Sequence, residues 1–468
     1  MKRILILIIT LVSAVYARAQ TVRDLDASFA EARAEFEAIK QEFADSADAA
    51  LADYLQYEAK LFEEYEKFRD EVKSTWGDSV VVESTRKSWV EYSDDLTSRT
   101  YVDWESGKVD VEVLVDPSDD DDTVKAKLEK AVADLLASRG STNGFNSSVL
   151  PDKPISDKPL LDGQINLSKY GITAAPSYEA PKPFENRKST SPTPSRGGTV
   201  NLSRNNTSAV RNTGITMAER VADEQKKAAE EKAAAEAAAA LAKAETKEIE
   251  VAVEDIPAAV VSAEKPVVET VQTEEGTKTV VKISMELVED HIPKRAEKFK
   301  EMVSAHSATY SVAAPLIYAI MEQESSFNPA AQSWVPAYGL MQLVPKSGGR
   351  DAYNYVHKKD EIPSADFLFD PNNNIQLGTG YLKLLMSTSF KKVTDERCKM
   401  LCAIAAYNTG AGNVSRAING TTNISKAIPT INTMTYDQLF EHLKKSLPHA
   451  ETQDYIQKVT SKMEKYVK

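Results

Sequence analysis

A glutamate on an apolar helix face is the side chain of this sequence best suited to acid–base chemistry. It lies in residues 315–345, where Pro315 suits the first turn of a helix and Asn328-Pro329 should end that helix. Glu324 continues a stripe of apolar residues at helical spacing, namely Leu316, Ile317, Ile320 and Met321. Burial would raise the pKa of this carboxyl and keep it protonated near neutral pH. Glu322 lies about 200° around the helix and should point to solvent.

Polar residues that follow Glu324 favour a site over a glutamate that merely caps or pairs at a helix end. Ser325 and Ser333 can donate hydrogen bonds close by. Residues 339–342, GLMQ, begin with a glycine where the backbone must approach closely and then offer a thioether and an amide. Residues 406–412, AYNTGAG, supply a phenol, a second amide and glycines between two helices. We therefore interpret Glu324 as a candidate general acid.

Three blocks of sequence resemble lytic murein transglycosylases with a lysozyme-like catalytic domain: ESSFNPAAQS, GLMQLVP and AAYNTGAGNV, in that order. Further segments resemble the murein transglycosylase C branch of that family. In the C-terminal part they are residues 367–371, 431–435 and 448–452, and earlier in the chain they are residues 75–77, 92–103, 107–109 and 277–298. The Ala/Glu/Lys-rich segment at 217–250 looks like an insertion.

The resemblance implies cleavage of the β-1,4 bond between N-acetylmuramic acid and N-acetylglucosamine in peptidoglycan. It implies that Glu324 protonates the glycosidic oxygen and then, as a base, helps to close a 1,6-anhydro ring. The residues that it assigns to the sugar site or its vicinity are Ser325, Ser333, Tyr338, Met341, Gln342, Tyr407, Asn408 and Tyr455. For Tyr338 and Met341 the alternative is a core position. Pro336 and Val344 depart from the family pattern, which often has glycine and methionine there.

Two other functions remain open from the residues. A lysozyme-type hydrolase would need a second carboxylate at a set separation, and the acids nearest the motifs are Asp351, Asp370 and Glu322. A non-catalytic peptidoglycan-binding scaffold would use the long helices as its interaction surface. Product analysis separates the hydrolase from the transglycosylase.

Composition narrows the classes of partner and cofactor. The 468 residues carry a formal net charge of −13, which argues against a nucleic-acid binder. No metal-ligand spacing is present, so we expect no metal and no cofactor, and a calcium site at Asp119–Asp122 would lack the spaced loop of known ligand patterns. Cys398 and Cys402, four apart on one predicted helix, are expected to be core thiols. The expected partners are peptidoglycan glycan strands, with peripheral envelope association and a protein partner of the N-terminal domain as further options.

The N-terminus has the pattern of a secretory leader. Lys2-Arg3 precedes an apolar run at 4–15, and Ala17-Arg18-Ala19 fits a cleavage site after Ala19. The alternative is an uncleaved anchor. Neither cysteine lies near this site, so no lipid attachment is expected there. We expect an exported protein of the periplasm or cell envelope.

Hydrophobic patterning predicts an α+β protein: a mostly α-helical, lysozyme-like C-terminal catalytic domain and an N-terminal domain of helices and a small antiparallel sheet. The expected divisions are a leader at 1–19, the N-terminal domain at 20–140, a linker with the helical insertion at 141–276, a connecting strand at 277–291 and the catalytic domain at 292–468. Within the linker, residues 159–167 could dock as a strand.

Individual elements follow from the period of the apolar residues. A helical region is expected at 21–72, as a hairpin or one long helix, and another helix from Asp119 to about Ser138. The predicted strands are 80–82, 87–92, 97–103, 108–115 and 277–288, the last of which is expected to rejoin the N-terminal sheet. The predicted C-terminal helices are 293–306, 313–325, 336–343, 371–389, 395–408, 410–418, 436–446 and 450–466.

Overall fold

The computed structural model divides the chain into two units, and nearly all of the described residues belong to the first. The described ranges are 49–77, 81–172, 255–273, 276–333 and 336–467. The first unit joins Met1–Tyr170 to Val253–Lys468, and the second is Gly171–Ala252. The predicted leader, the first part of the N-terminal helical region and the predicted Ala/Glu/Lys helix lie outside the described residues. Within the described ranges, no helix combines the length and apolar character needed to cross a bilayer.

One long helix and a five-stranded sheet make up the N-terminal part. The helix is α1 (Ala49–Trp76), and its apolar face buries Leu55, Leu61, Val72 and Trp76. The strands are β1 (Ser88–Tyr92), β2 (Ser98–Asp103), β3 (Lys108–Val115), β4 (Val267–Thr273) and β5 (Gly276–Glu286). They all pair antiparallel, in the order β1-β2-β3-β5-β4. Asp120 caps the N-terminus of helix α2 (Asp121–Ala137), where its carboxylate accepts a hydrogen bond from the backbone N–H of Thr123.

The strand predicted at 277–288 does rejoin the N-terminal sheet. In the structure β5 pairs with β3, and Val111 lies opposite Ile283 with both side chains buried. The linker predicted through residue 276 is wrong at its end, because α3 (Ile256–Ala263) and β4 occupy it. Strand β4 is an edge strand held by backbone pairing, and most of its side chains are exposed, so it lacks the alternation that reveals a half-buried strand.

Residues 141–172 also differ from a loose linker. Leu150, Leu160 and Ile165 are buried. The segment predicted to dock at 159–167 makes a single antiparallel bridge, between Ile165 and Leu287, rather than a full strand. Val81 and Val82, the described part of the strand predicted at 80–82, are not in a strand. These short segments fold through contacts with distant parts of the chain, which local periodicity does not reveal.

The C-terminal part is helical. Its helices are α4 (His291–Glu297), α5 (Lys300–Tyr310), α6 (Ala314–Ser325), α7 (Arg350–His357), α8 (Ala365–Phe369), α9 (Pro371–Leu384), α10 (Glu396–Thr409), α11 (Ala411–Asn419), α12 (Ile424–Ile431), α13 (Tyr436–Ser446) and α14 (Ala450–Lys465). The predicted helix at 293–306 is split into α4 and α5, and that at 371–389 ends in a π-helical turn, Leu385–Ser389. Helices α7, α8 and α12 were not predicted.

The helix predicted at 336–343 is wrong. Gly339 and Gln342 have φ of +75° and +47°, left-handed values that a right-handed helix excludes. The segment instead folds back on itself, with backbone hydrogen bonds between Tyr338 and Leu343 in both directions. The spacing of its apolar residues resembles that of a helix because nearly all of them are buried, not only those on one face.

Helix α6 lies in the centre of the C-terminal core. Its predicted stripe of Leu316, Ile317, Ile320 and Met321 is almost completely buried. Cys398 and Cys402 are free and buried, as predicted for core thiols. The small antiparallel sheet and the helical C-terminal part together confirm the α+β class.

Candidate active site

Glu324, the candidate acid of the site, is the penultimate residue of α6. The helix ends at Ser325, as predicted for the helix at 313–325, because Ser326 and Phe327 adopt left-handed φ of 48° and 63°. Glu324 is only 5% exposed. Its burial raises the pKa of the carboxyl above its ordinary value of 4.5, as the apolar stripe predicts.

Both oxygens of Glu324 are hydrogen-bonded. The Tyr455 hydroxyl of α14 donates to Oε1 at 2.6 Å, and Arg86 Nη1 donates to Oε2 at 3.4 Å. Arg86 Nη2 also donates to Glu451 Oε1 at 3.2 Å, so one guanidinium bridges two carboxylates. Burial is the largest influence on the pKa of Glu324 and raises it; Arg86 and the Tyr455 hydrogen bond pull it down, and Glu451 raises it. Burial therefore makes the Glu324 carboxyl a weaker acid than a free glutamate, while Arg86 and Tyr455 stabilise its anion.

Glu322 does not point to solvent as predicted. It is 4% exposed and accepts from Lys465 Nζ at 2.9 Å and from the Tyr466 hydroxyl at 2.7 Å, with Lys462 Nζ at 3.1 Å. Burial raises its pKa, but the hydrogen bonds from Tyr466 and Lys465 and the charge of Lys462 outweigh this, so the pKa is lowered. Glu322 is a satisfied anion that ties α6 to the end of α14.

The loop that follows α6 is fixed by one buried amide. Asn374 Oδ1 accepts from the Met341 N–H at 2.8 Å, and Asn374 Nδ2 donates to the carbonyls of Tyr338 at 2.8 Å and Leu368 at 2.7 Å. A Cβ on Gly339 would lie 2.4 Å from that Nδ2 atom, so only glycine fits. The predicted close approach at Gly339 is therefore confirmed.

Gln342, Tyr407 and Asn408 are half-buried around the site. Gln342 Nε2 donates to the carbonyls of Ala331 at 2.9 Å and Gly339 at 3.1 Å, and its Oε1 is buried with no hydrogen-bond partner among the described residues. The Tyr407 hydroxyl donates to the Met341 carbonyl at 2.8 Å.

Asn408 is oriented by a neighbour in α14. Its Oδ1 accepts a hydrogen bond from Thr452 Oγ1 at 2.6 Å, so the amide nitrogen of Asn408 points away from Thr452. Ser333 is half-buried, and its Oγ accepts from the Ala337 N–H at 3.3 Å. These two side chains are therefore exposed enough to meet a ligand.

Three other predicted substrate contacts have fully buried side chains. Ser325 donates to the Leu340 carbonyl at 2.8 Å, and Met341 packs against Gly378. The Tyr338 hydroxyl lies 3.2 Å from that of Tyr57 in α1. Burial favours a role for Ser325, Tyr338 and Met341 in holding the loop, as the core alternative for the last two anticipated.

Sequence reasoning missed Arg86, Asn374, Glu451 and Thr452. Glu451 and Thr452 had a weak signal, because they precede Tyr455 by four and three positions and so share its helix face. For Arg86, 238 positions before Glu324, the sequence offers no local signal.

The other acids considered for a second carboxylate lie elsewhere. Asp370 caps α9 by accepting from the Asn373 N–H at 2.8 Å. Asp351 is in the first turn of α7, where burial raises its pKa. In the part of the chain that the structure describes, no group of three or more His, Cys, Asp or Glu side chains is arranged to hold a metal ion.

Two family models match parts of the chain. Residues 301–428 match the transglycosylase SLT domain, a region that contains Glu324, Gln342 and Asn408. The chain therefore carries a transglycosylase SLT domain. Residues 54–171 match the N-terminal domain of membrane-bound lytic murein transglycosylase C, so the domain that contributes Arg86 is of that type.

Curated relatives named membrane-bound lytic murein transglycosylase C align with part of the chain. That from Sodalis glossinidius is 40% identical over 191 residues, 41% of this chain and 53% of the relative. That from Yersinia pestis is 38% identical over 191 residues, 41% of this chain and 52% of the relative. The chain thus spans about half the length of these relatives. Among solved structures, an inactive mutant of the lytic transglycosylase Slt from Pseudomonas aeruginosa is 28% identical, covering 36% of this chain and 23% of that one at a TM-score of 0.28.

Proposed function

We propose that this chain is a lytic transglycosylase of peptidoglycan. It cleaves the β-1,4 bond between N-acetylmuramic acid and N-acetylglucosamine and leaves a 1,6-anhydromuramic acid end. The observation that carries the proposal is Glu324, a buried carboxyl of raised pKa with hydrogen bonds to both oxygens, at the end of α6 in an SLT domain.

A single carboxyl suffices for this reaction. Protonated Glu324 gives its proton to the glycosidic oxygen, and the bond from that oxygen to C1 of the muramic residue breaks. The resulting Glu324 carboxylate takes the proton of the muramic C6 hydroxyl, and O6 forms a bond to C1. Glu324 ends protonated, so no water enters the products. The Tyr455 hydroxyl stabilises the carboxylate between the two steps.

We assign sugar binding to the polar groups that remain half-buried around Glu324. Ser333, Gln342 and Asn408 would line the sugar site, with Asn408 held by Thr452. Tyr407 would act from beside Glu324, and the buried Ser325, Tyr338 and Met341 would hold the loop that carries Gln342. This division follows from exposure: the sugar-binding side chains are half-buried, whereas those of Ser325, Tyr338 and Met341 are completely buried, unlike Glu324, which stays 5% exposed.

One observation favours hydrolysis as a second candidate. Glu451 is a further carboxylate near Glu324, linked to it through Arg86, and a hydrolase would need such a group to activate water or to act as a nucleophile. Its ion pair with Arg86 argues for a structural role, because the guanidinium offsets the charge of the carboxylate and makes it a weaker base or nucleophile.

We further propose that the protein is exported and works in the cell envelope. The leader pattern ending at Ala19 and the membrane-bound name of its relatives support this location. The N-terminal domain would hold the catalytic domain, from about residue 292 onward, and position it on glycan strands.

Digestion of purified sacculi by the full chain tests the activity. Mass spectrometry should find muropeptides with 1,6-anhydromuramic acid ends, about 18 mass units lighter than their hydrolysed counterparts, since no water is added. Reducing muramic ends, which borohydride would convert to the alcohol, would instead establish a hydrolase. Binding to sacculi with no released muropeptide would indicate a scaffold.

A further inference from the structure

The active-site carboxyl of one domain is in contact with an arginine of the other. Arg86 lies in the turn before β1, within residues 54–171, whereas Glu324 lies within the SLT domain. The turn is well fixed: the N–H groups of Lys87 and Ser88 both donate to Thr85 Oγ1, and Thr85 and Ser88 exchange backbone hydrogen bonds. The position of Arg86 is thus defined by its own domain.

Arg86 is held between two carboxylates of the C-terminal part. Its Nη1 atom is 3.4 Å from Glu324 Oε2, and its Nη2 atom is 3.2 Å from Glu451 Oε1. Its side chain is 22% exposed and Glu324 is almost fully buried, so solvent screens their interaction only weakly. Glu451 lies four residues before Tyr455, on the same face of α14. That face therefore holds Arg86 through Glu451 and also supplies the Tyr455 hydroxyl to Glu324.

We propose that Arg86 of the N-terminal domain is the counter-ion of the Glu324 carboxylate, and that Glu451 holds it there. The active site of the SLT domain would then be complete only with the N-terminal domain docked against it. This inference rests on the proposed function for its catalytic meaning.

The role follows from the charge that the reaction creates. When Glu324 passes its proton to the glycosidic oxygen, a buried anion forms, which is costly without a partner. Arg86 supplies that partner and makes Glu324 a stronger acid. The same charge makes the carboxylate a weaker base in the second step, and Glu451 moderates the effect by sharing the guanidinium.

The charged and titratable groups around Glu324 come from three parts of the fold. Arg86 and Lys87 face it from the turn before β1, Glu451 and Tyr455 from α14, and Tyr407 from α10. Arg86 exerts the largest downward influence on the pKa of Glu324, ahead of Tyr455 and Lys87. Lys87 also pairs with Glu105 at 2.5 Å.

The test compares four variants in the full chain on a soluble, uncrosslinked glycan across pH. Arg86→Ala should move the alkaline limb of kcat to higher pH, because Glu324 keeps its proton longer. It should also lower kcat on the plateau by about tenfold, less than the roughly 10²–10⁴-fold of acid–base catalysis itself. Arg86→Lys should restore most of the plateau kcat and return the alkaline limb most of the way to its wild-type pH. Glu451→Gln should move the alkaline limb to lower pH. Lys130→Ala, an exposed charge of the same domain, is the control for charge loss alone.

Two results would overturn the proposal. A higher KM in Arg86→Ala with an unmoved alkaline limb would make Arg86 a substrate-binding residue. Faster turnover at every pH would make the contact a block on the site.

A second measurement does not depend on turnover. Carbon-13 at the glutamate carboxyls, with Glu324→Gln identifying the resonance, gives the Glu324 titration directly. If the wild-type chain cleaves no glycan but Arg86→Ala raises this titration midpoint, the proposed function fails while the counter-ion role stands. An unchanged midpoint removes the counter-ion role whatever the activity.

Discussion

Glu322 and Glu324 lie two residues apart on one helix, are buried to the same degree, and have pKa values shifted in opposite directions. The C-terminal part of α14 and the residue after it surround Glu322 with two lysines and a tyrosine hydroxyl. Near its N-terminus the same helix gives Glu324 one hydroxyl, from Tyr455, and the turn before β1 gives it Arg86, which Glu451 shares. The donors around each carboxyl therefore help to separate a structural anion from a candidate acid.

The largest expected effect is the loss of turnover when Glu324 is replaced. Glu324→Gln keeps the shape of the side chain but cannot carry the reacting proton. Turnover of sacculi should fall by at least roughly 10²–10⁴-fold, while glycan binding persists. Pull-down with sacculi and muropeptide release measure the two quantities. Full activity in this variant would remove Glu324 from the mechanism.

Glu322→Gln is the matched change on the other face. It leaves Lys462, a mostly buried cation, without its anion. The free energy of unfolding should fall by about 2–3 kcal/mol, below the roughly 3–5 kcal/mol of a fully buried pair, because Lys465 is largely exposed. Denaturant unfolding measures the loss. The kcat of the remaining folded protein should stay near that of the wild type, and a loss as large as that of Glu324→Gln would erase the distinction between the two carboxyls.

The two variants should also differ in how stability depends on pH. The pKa of Glu324 is raised in the folded protein. Its contribution to the free energy of unfolding is therefore complete below the ordinary glutamate pKa of 4.5 and is lost as pH rises through the folded pKa. The folded pKa of Glu322 is lowered, so its contribution is present above that ordinary value and is lost as pH falls through the folded value.

Melting temperatures from acid to neutral pH test these signs. The melting temperature of Glu324→Gln should rise relative to that of the wild type as pH rises. The melting temperature of Glu322→Gln should lie furthest below that of the wild type near neutral pH and approach it in acid. Parallel curves for the two variants would mean that their environments do not differ in the way that the contacts indicate.

The same comparison marks the limit of sequence reasoning. The position of Glu324 on the apolar stripe could be read from its spacing to Ile320 and Met321, since helical geometry is local. The burial of Glu322 could not, because its partner Lys465 comes 143 positions later. Likewise the turn at 336–343 depends on Asn374, which holds the Met341 N–H from 33 positions away. Contacts between distant segments decided each of these differences.

The smallest expected effect comes from removing one tyrosine hydroxyl beside Glu324 or one beside Glu322. Tyr455→Phe removes the donor to Glu324 Oε1, which should move the alkaline limb of kcat to higher pH, because that hydrogen bond lowers the pKa of Glu324. The loss of plateau kcat should be about tenfold, or about 1.4 kcal/mol, the lower end of what a hydrogen bond to a charged group contributes. Tyr466→Phe removes the matching donor to Glu322 Oε2 and should reduce stability without moving the limb. If both tyrosine variants shift the pH profile equally, the hydroxyls act on the fold as a whole and not on their own carboxyls.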